Sequence, residues 1–318
     1  MISVVVPAFN ESLILHTLYE RVAAAAATWN EDWELVIVDD GSRDSTFEIA
    51  QKIGSSDPRV KVIGFSRNFG HQAAVTAGLF YAAGDIVAVI DADLQDPPEE
   101  LIRFIKKCRE GFDVVYAIRT ERKEGPFKKA AYFLYYRALK RLASIDIPLD
   151  SGDFCVMSRR VVDVMNSLGE RNRFVRGLRS YIGYRQTGLT YERHARQAGE
   201  AKYTFSKLVK LGLDGVFNFS YQPLHLLMLL GSSVSVASFL GGFMVLLQYL
   251  TNTTLLGYNP HNALGWTSLM IATLFLAGVE IFAIGLLGEY VGRIFEEIKG
   301  RPVYLVERAV NLEIKRIQ

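Results

Sequence analysis

Runs rich in β-branched and small apolar residues recur at 2–6, 33–38, 60–65, 86–90 and 113–118. Short runs without polar alternation predict strands buried on both faces of a parallel sheet. Between them lie stretches with helical spacing, ending near Thr28, Ile53, Ala83 and Arg109. Asp44 suits the cap of the second helix, and Pro97-Pro98 followed by Glu99-Glu100 suits the opening of the fourth. Strands alternating with helices predict an α/β domain built on a mostly parallel sheet. After residue 203 the pattern changes. Over Phe205–Phe219 the polar residues Lys207, Lys210, Asp214 and Asn218 form one stripe opposite an apolar face, which predicts an interfacial amphipathic helix at 204–222. From Leu224 to Leu250 no Asp, Glu, Lys or Arg occurs, and from Leu264 to Gly288 only Glu280 does. Each run exceeds the ~20 residues that cross a hydrocarbon core, which predicts transmembrane helices at about 224–250 and 264–290. Arg301–Val306 then reads as a strand returning to the first domain, within a cytosolic segment 293–318.

Composition sharpens this division. Half of the 318 residues are hydrophobic, and net charge is only +2, so no polyanionic partner such as nucleic acid is implied. Mean hydropathy is +0.14, high for a chain without membrane segments. The connection 251–263 carries no Lys or Arg, whereas Lys202, Lys207 and Lys210 precede the apolar runs and Arg293, Lys299 and Arg301 follow them. By the positive-inside rule both flanks, and the first domain with them, face the cytosol. The N-terminus runs straight into a strand, so no cleavable signal peptide is expected. Cys108 and Cys155 lack metal or redox spacing and read as reduced thiols. Gly231, Ser235, Ala237, Ser238, Gly241 and Gly242 suggest close helix contact, within the hairpin or between subunits of a homo-oligomer. Glu280 lies roughly 20 Å along the helix from Arg293, near mid-bilayer, where pairing with serines is expected.

Polar clusters fall at the carboxyl ends of the predicted strands, where ligands bind in open α/β sheets. Asp91 and Asp93 follow the run 86–90. In an extended chain both carboxylates project to one side, a set of hard oxygens suited to Mg²⁺ or Mn²⁺ bound together with substrate phosphate. The alternative is a solvated acidic turn capping a helix. Neither G-x-G-x-x-G nor G-x-x-x-x-G-K-[ST] occurs, so a diphosphate would be held by metal and arginines. The loop starting at Arg119 carries three cations and reads either as a cover for phosphates or as an ordinary solvated loop. Over 126–143, Lys128, Lys129, Arg137, Lys140 and Arg141 share a helical surface with tyrosines. That helix either touches a membrane surface or packs on the core with its charged side outward.

P-A-F-N-E at 7–11, V-D-D-G-S at 38–42, R-N-F-G at 67–70 and D-A-D-L-Q-D-P-P-E at 91–99 resemble family 2 glycosyltransferases with the GT-A fold. The likeness is strongest to polyprenyl-phosphate glycosyltransferases of the dolichyl-phosphate and GtrB types, and it covers nearly the whole chain. The resemblance implies a membrane-anchored enzyme, bacterial inner membrane included, that transfers a hexose from a UDP-sugar to polyprenyl phosphate with inversion. Glucose is favoured; GDP-mannose or a modified UDP-pentose is the alternative donor, and a flippase subunit the alternative outside enzymes. It also implies that Pro7, Ala8, Glu11, Asp40 and Asp91 hold the nucleotide, and that Asp91, Asp93 and Gln95 form the Mg²⁺ or Mn²⁺ site. Asp153 becomes the candidate base. Phosphate monoesters ionise near ~6, so Asp153 orienting the acceptor is equally open. Arg196 and Lys202 match the family's R-x-x-G-x-S-K-Y segment, with Ala201 in place of serine. With Arg119, Lys128, Lys129 and Arg137 they are the candidates for phosphate and acceptor. The Q-x-x-R-W motif of processive polysaccharide synthases is absent.

Overall fold

The computed structural model describes residues 1–119, 151–171, 173–192, 222–251 and 265–314. The predicted amphipathic helices at 126–143 and 204–222 lie outside these residues, as does the connection after Thr251. The chain divides into two units, Met1–Phe219 with Gly300–Gln318, and Ser220–Lys299.

The first unit is built on an eight-stranded sheet. In chain order its strands are β1 (Ile2–Ala8), β2 (Trp33–Asp39), β3 (Val60–Phe65), β4 (Ile86–Val89), β5 (Val114–Arg119), β6 (Ser151–Ser158), β7 (Gln186–Tyr191) and β8 (Val306–Val310). Their spatial order is β7-β5-β6-β4-β1-β2-β3-β8. The central strands β3, β2, β1 and β4 run parallel. Strand β6 enters antiparallel between β4 and β5, and β8 closes the far edge antiparallel to β3.

Two details differ from the sequence expectation. A strand outside the apolar runs noted above, Ser151–Ser158, takes Asp153 into the sheet. The returning strand expected at Arg301–Val306 falls at Val306–Val310 instead. Residues before it are held by Tyr304, whose ring stacks on Phe65 at 5.0 Å, and by Ser66 N–H donating to Leu305 O.

Successive side chains on a strand point to opposite faces, so each buried run feeds two cores. Val4, Val6, Leu35 and Ile37 pack under α1 (Leu15–Ala26), α2 (Thr46–Ser56) and α4 (Leu101–Arg109). Val5, Val36, Val38 and Ile63 pack under α3 (His71–Tyr81), α5 (Arg159–Ser167) and α6 (Val175–Ile182). Each fully buried valine or leucine contributes about 1.5–3 kcal/mol. Helix α3 lies very close to the sheet: a Cβ on Gly78 would fall 2.1 Å from Val5 Cγ1. Only glycine allows that approach, and it fixes the height of α3 above β1.

The second unit holds α7 (Gln222–Thr251) and α8 (Trp266–Ile298). At ~1.5 Å per residue both are longer than a ~30 Å hydrocarbon core. Among the described residues one stretch, Phe275–Ile298 with mean hydropathy 1.6, is long and apolar enough to cross a membrane. The apolar stretch of α7, Leu227–Gly241, is shorter. The sequence predicts two crossings; among the described residues one helix is long and apolar enough for a crossing. Glu280 is exposed and has no partner among the described residues, so the expected bond to serines is not seen there.

Candidate active site

Parallel pairing brings the carboxyl ends of β1 to β4 to one edge. Pro7 and Ala8 close β1 as buried strand residues paired with Val38 and Asp39. The turn after them is sewn to the turn after β2. Asn10 N–H donates to Ser42 Oγ, Arg43 N–H to Asn10 Oδ1, and the half-buried Glu11 donates its N–H to Thr46 Oγ1, each at 2.9 Å.

Asp40 is 3% exposed and faces the turn that precedes α3. Its carboxylate accepts from Phe69 N–H at 2.7 Å, from Gly70 N–H, and from Asn68 Nδ2 at 2.9 Å. Burial pushes its carboxyl up, and the donated N–H groups pull against that rise. The resemblance implies a uridine contact for Asp40; in this arrangement the carboxylate is committed to residues 68–70.

The Asp-x-Asp pair is not extended. Strand β4 ends at Val89, Leu94 takes a left-handed φ of 54°, and Asp93 Oδ1 accepts from Gln95 N–H at 3.1 Å. This turn draws Asp93 inward to 6% exposure, whereas the Asp91 side chain keeps 27%. The expectation of an extended chain through Asp91 and Asp93 is therefore corrected: an Asx-type bend replaces the strand pleat. Gln95 is half-buried beside it, and Asp96 accepts from the hydroxyl of Tyr191 on β7. Burial pushes the Asp91 carboxyl up to about 6; His71 opposes the rise, and Asp96, Asp153 and Asp93 add to it. A desolvated acid crowded by other acids is a fit for a hard cation. Among the described residues no three or more Asp, Glu, His or Cys side chains form a closed metal cage.

Strand β6 supplies the second carboxylate. Cys155 pairs with Val89, and extending that register brings Asp153 level with Asp91. Arg176, on α6, donates from Nε to Asp153 Oδ1 at 2.8 Å and from Nη2 to Oδ2 at 3.1 Å. His71 Nε2 stands 3.2 Å from Asp153 Oδ2 and 3.8 Å from Asp91 Oδ1. Burial alone would raise the Asp153 carboxyl; Arg176 and His71 outweigh it and hold it well below the usual range. Burial opposes charge on His71, yet the bond to Asp153 and the charges of Asp91 and Asp153 raise it to about 9. Val175 N–H, at the start of α6, donates to Gln72 Oε1 at 2.9 Å, so the helices carrying Arg176 and His71 are tied together. The sequence motifs give neither Arg176 nor His71 a role at this site.

One turn along α6, Arg179 is 1% exposed. Its guanidinium finds no oxygen partner among the described residues; the buried Cys155 thiol is its hydrogen-bonding neighbour, and the Tyr116 ring lies 5.5 Å from its guanidinium carbon. A buried guanidinium with only a thiol and a ring beside it among the described residues is costly. Arg179→Met is expected to stabilise the fold by about 1–4 kcal/mol, the scale seen when buried charges give way to packed apolar side chains. Chemical denaturation of both proteins checks this, and a lower midpoint for the variant counts against it. Arg119 closes β5 opposite Tyr191, but its side chain lies outside the described residues. So do Lys128, Lys129, Arg137, Arg196 and Lys202.

Known proteins share this sequence pattern. Residues 3–165 match the glycosyl transferase family 2 domain. The protein named uncharacterized glycosyltransferase YkcC of Bacillus subtilis is 46% identical over 317 residues, 99% of this chain and 96% of that one. The SfII prophage-derived bactoprenol glucosyl transferase of Shigella flexneri is 38% identical, over 97% of this chain and 98% of that one. Among solved structures, glucosyl-3-phosphoglycerate synthase from Mycobacterium tuberculosis, in complex with Mn²⁺, UDP-glucose and phosphoglyceric acid, aligns with a TM-score of 0.45. It is 20% identical and covers 68% of this chain and 77% of that one. On the family match and the full-length relatives, the chain belongs to glycosyl transferase family 2 and is a glycosyltransferase.

Proposed function

We propose that the protein is a membrane-anchored, inverting glycosyltransferase that moves a hexose, glucose first among them, from a UDP-sugar to a polyprenyl phosphate. One observation carries the reading: the half-exposed Asp91 stands at a sheet edge beside an ionised Asp153 flanked by Arg176 and His71. A donor diphosphate and an acceptor phosphate both need cationic surroundings, and this edge offers one acid for a metal and two basic groups. Relatives named bactoprenol glucosyl transferase support the choice of lipid and sugar.

Asp91, with Asp93 and Gln95 beside it, would hold Mg²⁺ or Mn²⁺. Such an ion, when bound, offsets the charge that develops on a leaving diphosphate. Pro7, Ala8 and Glu11 line the nucleotide end, and Asp40 shapes that end through the 68–70 turn. A lipid phosphate has a second pKa near ~6 and arrives largely ionised, so no general base is required. Asp153, held ionised by Arg176, orients the acceptor side instead. Attack from the face opposite the diphosphate inverts the anomeric centre. The two apolar helices anchor the enzyme as a membrane hairpin with the catalytic unit in the cytosol. The basic residues from Arg119 through Lys202 recruit the headgroup.

The test is release of UDP from UDP-glucose by the full-length protein in lipid, with polyprenyl phosphate and a divalent ion each added or withheld. Release that requires both is expected. Equal release without the lipid removes the acceptor assignment, and faster turnover with GDP-mannose or a UDP-pentose replaces the donor.

Metal binding should depend on pH with a defined sign. The Asp91 carboxyl sits at about 6 in the fold, above its ordinary value. Between that ordinary value and about 6 the folded state binds the extra proton, so stability of the metal-free protein falls as pH rises through this window. A divalent ion competes with that proton. The rise in Tm caused by Mn²⁺ is expected to be larger at pH 7.5 than at pH 5, read by thermal scans with and without chelator. An equal rise at both values counts against Asp91 as the ligand.

A further inference from the structure

The turns after β2 and β3 touch backbone to backbone. Gly41 has φ of 65°, and a Cβ there would lie 2.4 Å from Arg67 C and 2.6 Å from Asn68 N. Asp40, next to it, takes the N–H groups of Phe69 and Gly70 and the amide of Asn68. These residues lead directly into α3, whose first residue is His71. Behind His71 the helix is pressed onto the sheet through Ala74, Ala77 and Gly78. The imidazole therefore has little freedom of position. Its Nε2 faces Asp153 at 3.2 Å and Asp91 at 3.8 Å, so a single atom stands within reach of both carboxylates. The remaining oxygen of Asp153 is fixed by Arg176, whose helix hangs on Gln72, the neighbour of His71.

We infer that His71 is a positioning residue that sets the distance between the donor-side carboxylate Asp91 and the acceptor-side carboxylate Asp153, and that Asp40 sets His71 through the turn at 68–70. The turn after β2 thereby controls the geometry of a centre built on other strands. The kinetic consequence rests on the transfer reading above; the contact itself does not. Misplacing a reacting group by ~1 Å can lower a rate about 10²-fold.

The experiment uses the full-length protein in lipid nanodiscs, with UDP-glucose and polyprenyl phosphate as probes. His71→Ala is expected to lower kcat about 10²-fold. Its KM for UDP-glucose should stay close to wild type; its Tm should fall, since Asp153 loses one of its two basic partners, so turnover is read well below the variant's Tm. His71→Gln keeps an N–H donor near the position of Nε2 and should recover at least part of that loss. Asp40→Asn places an amide N–H against the donors of residues 68–70 and should reproduce the fall in kcat. The double variant His71→Ala with Asp40→Asn should be no worse than the more impaired single change, because both act through one side chain. Unchanged kcat in His71→Ala, or a loss that follows Tm and that glutamine does not restore, overturns the inference.

A second readout needs no turnover: the ¹⁵N resonance of His71 Nε2 in histidine-labelled protein. It should move in Asp153→Asn and in Asp40→Asn, and a resonance that moves in neither also overturns the inference. If wild type transfers no sugar to lipid phosphate while the resonance moves as expected, the transfer reading fails and the positioning role stands.

Discussion

Asp91→Asn is expected to reduce sugar transfer about 10³-fold while leaving the protein folded and somewhat more heat-stable. The loss follows from electrostatics, since removing one preorganised group that stabilises developing charge typically lowers a rate about 10²–10³-fold. The upper end applies because Asp93 turns inward and bonds Gln95 N–H, which leaves Asp91 as the more exposed carboxylate of the pair. Asp93→Asn should accordingly lose less. The gain in stability has a separate cause. Burial and neighbouring acids make ionised Asp91 unfavourable in the fold, and a neutral amide relieves that strain. Opposite movement of activity and Tm separates a site residue from a structural one. Transfer assays across a Mn²⁺ titration, paired with thermal scans, read both; an active Asp91→Asn protein would remove the metal-site assignment.

Arg176→Met is the second large effect, and it falls on stability and activity together. Breaking a buried ion pair by deleting one partner destabilises by about 3–5 kcal/mol. With Arg176 30% exposed and Asp153 10%, the lower figure of about 3 kcal/mol is expected. The double variant Arg176→Met with Asp153→Asn should regain most of that stability, since the carboxylate stranded by Arg176→Met is gone and His71 keeps Asp91 at 3.8 Å, yet remain inactive. The pH dependence has a fixed sign. Asp153 is held below its unfolded value, so its contribution is present above that value, near ~3.9, and lost as pH falls through the lower folded one. In Arg176→Met the contribution is missing at neutral pH as well. Denaturant midpoints at pH 7.5 and pH 2.5 for the four proteins of the cycle check this, and a double variant as unstable as Arg176→Met would refute the pairing.

The strands of the parallel core are legible because nothing but a sheet buried on both faces accounts for runs such as Ile2–Val6 and Trp33–Val38. Asp91 is legible for the same reason, standing where such a run stops. Alternation of strands and helices cannot reveal that β6 enters antiparallel between β4 and β5, because the order of strands depends on long-range packing. Yet that insertion is what brings Asp153 level with Asp91. The bend at Asp93 escaped because Leu94 adopts a left-handed φ, a conformation its side chain gives no reason to expect. His71 and Arg176 were beyond local reading for another reason. They lie far along the chain from Asp153, and no spacing rule links residues joined only by tertiary contact.

Strand β8 has a consequence for biosynthesis. It reaches the sheet only after both long helices have been translated, so the outer edge of β3 waits almost the length of the chain for its partner. At ~5–20 residues per second that interval is on the order of ten to fifty seconds, during which an open strand edge faces the ribosome's surroundings. The nascent catalytic unit is thus finished last at the margin where β8, Tyr304 and Asn311 close it, and a chain truncated after α8 would leave the ribosome with that seam unsealed.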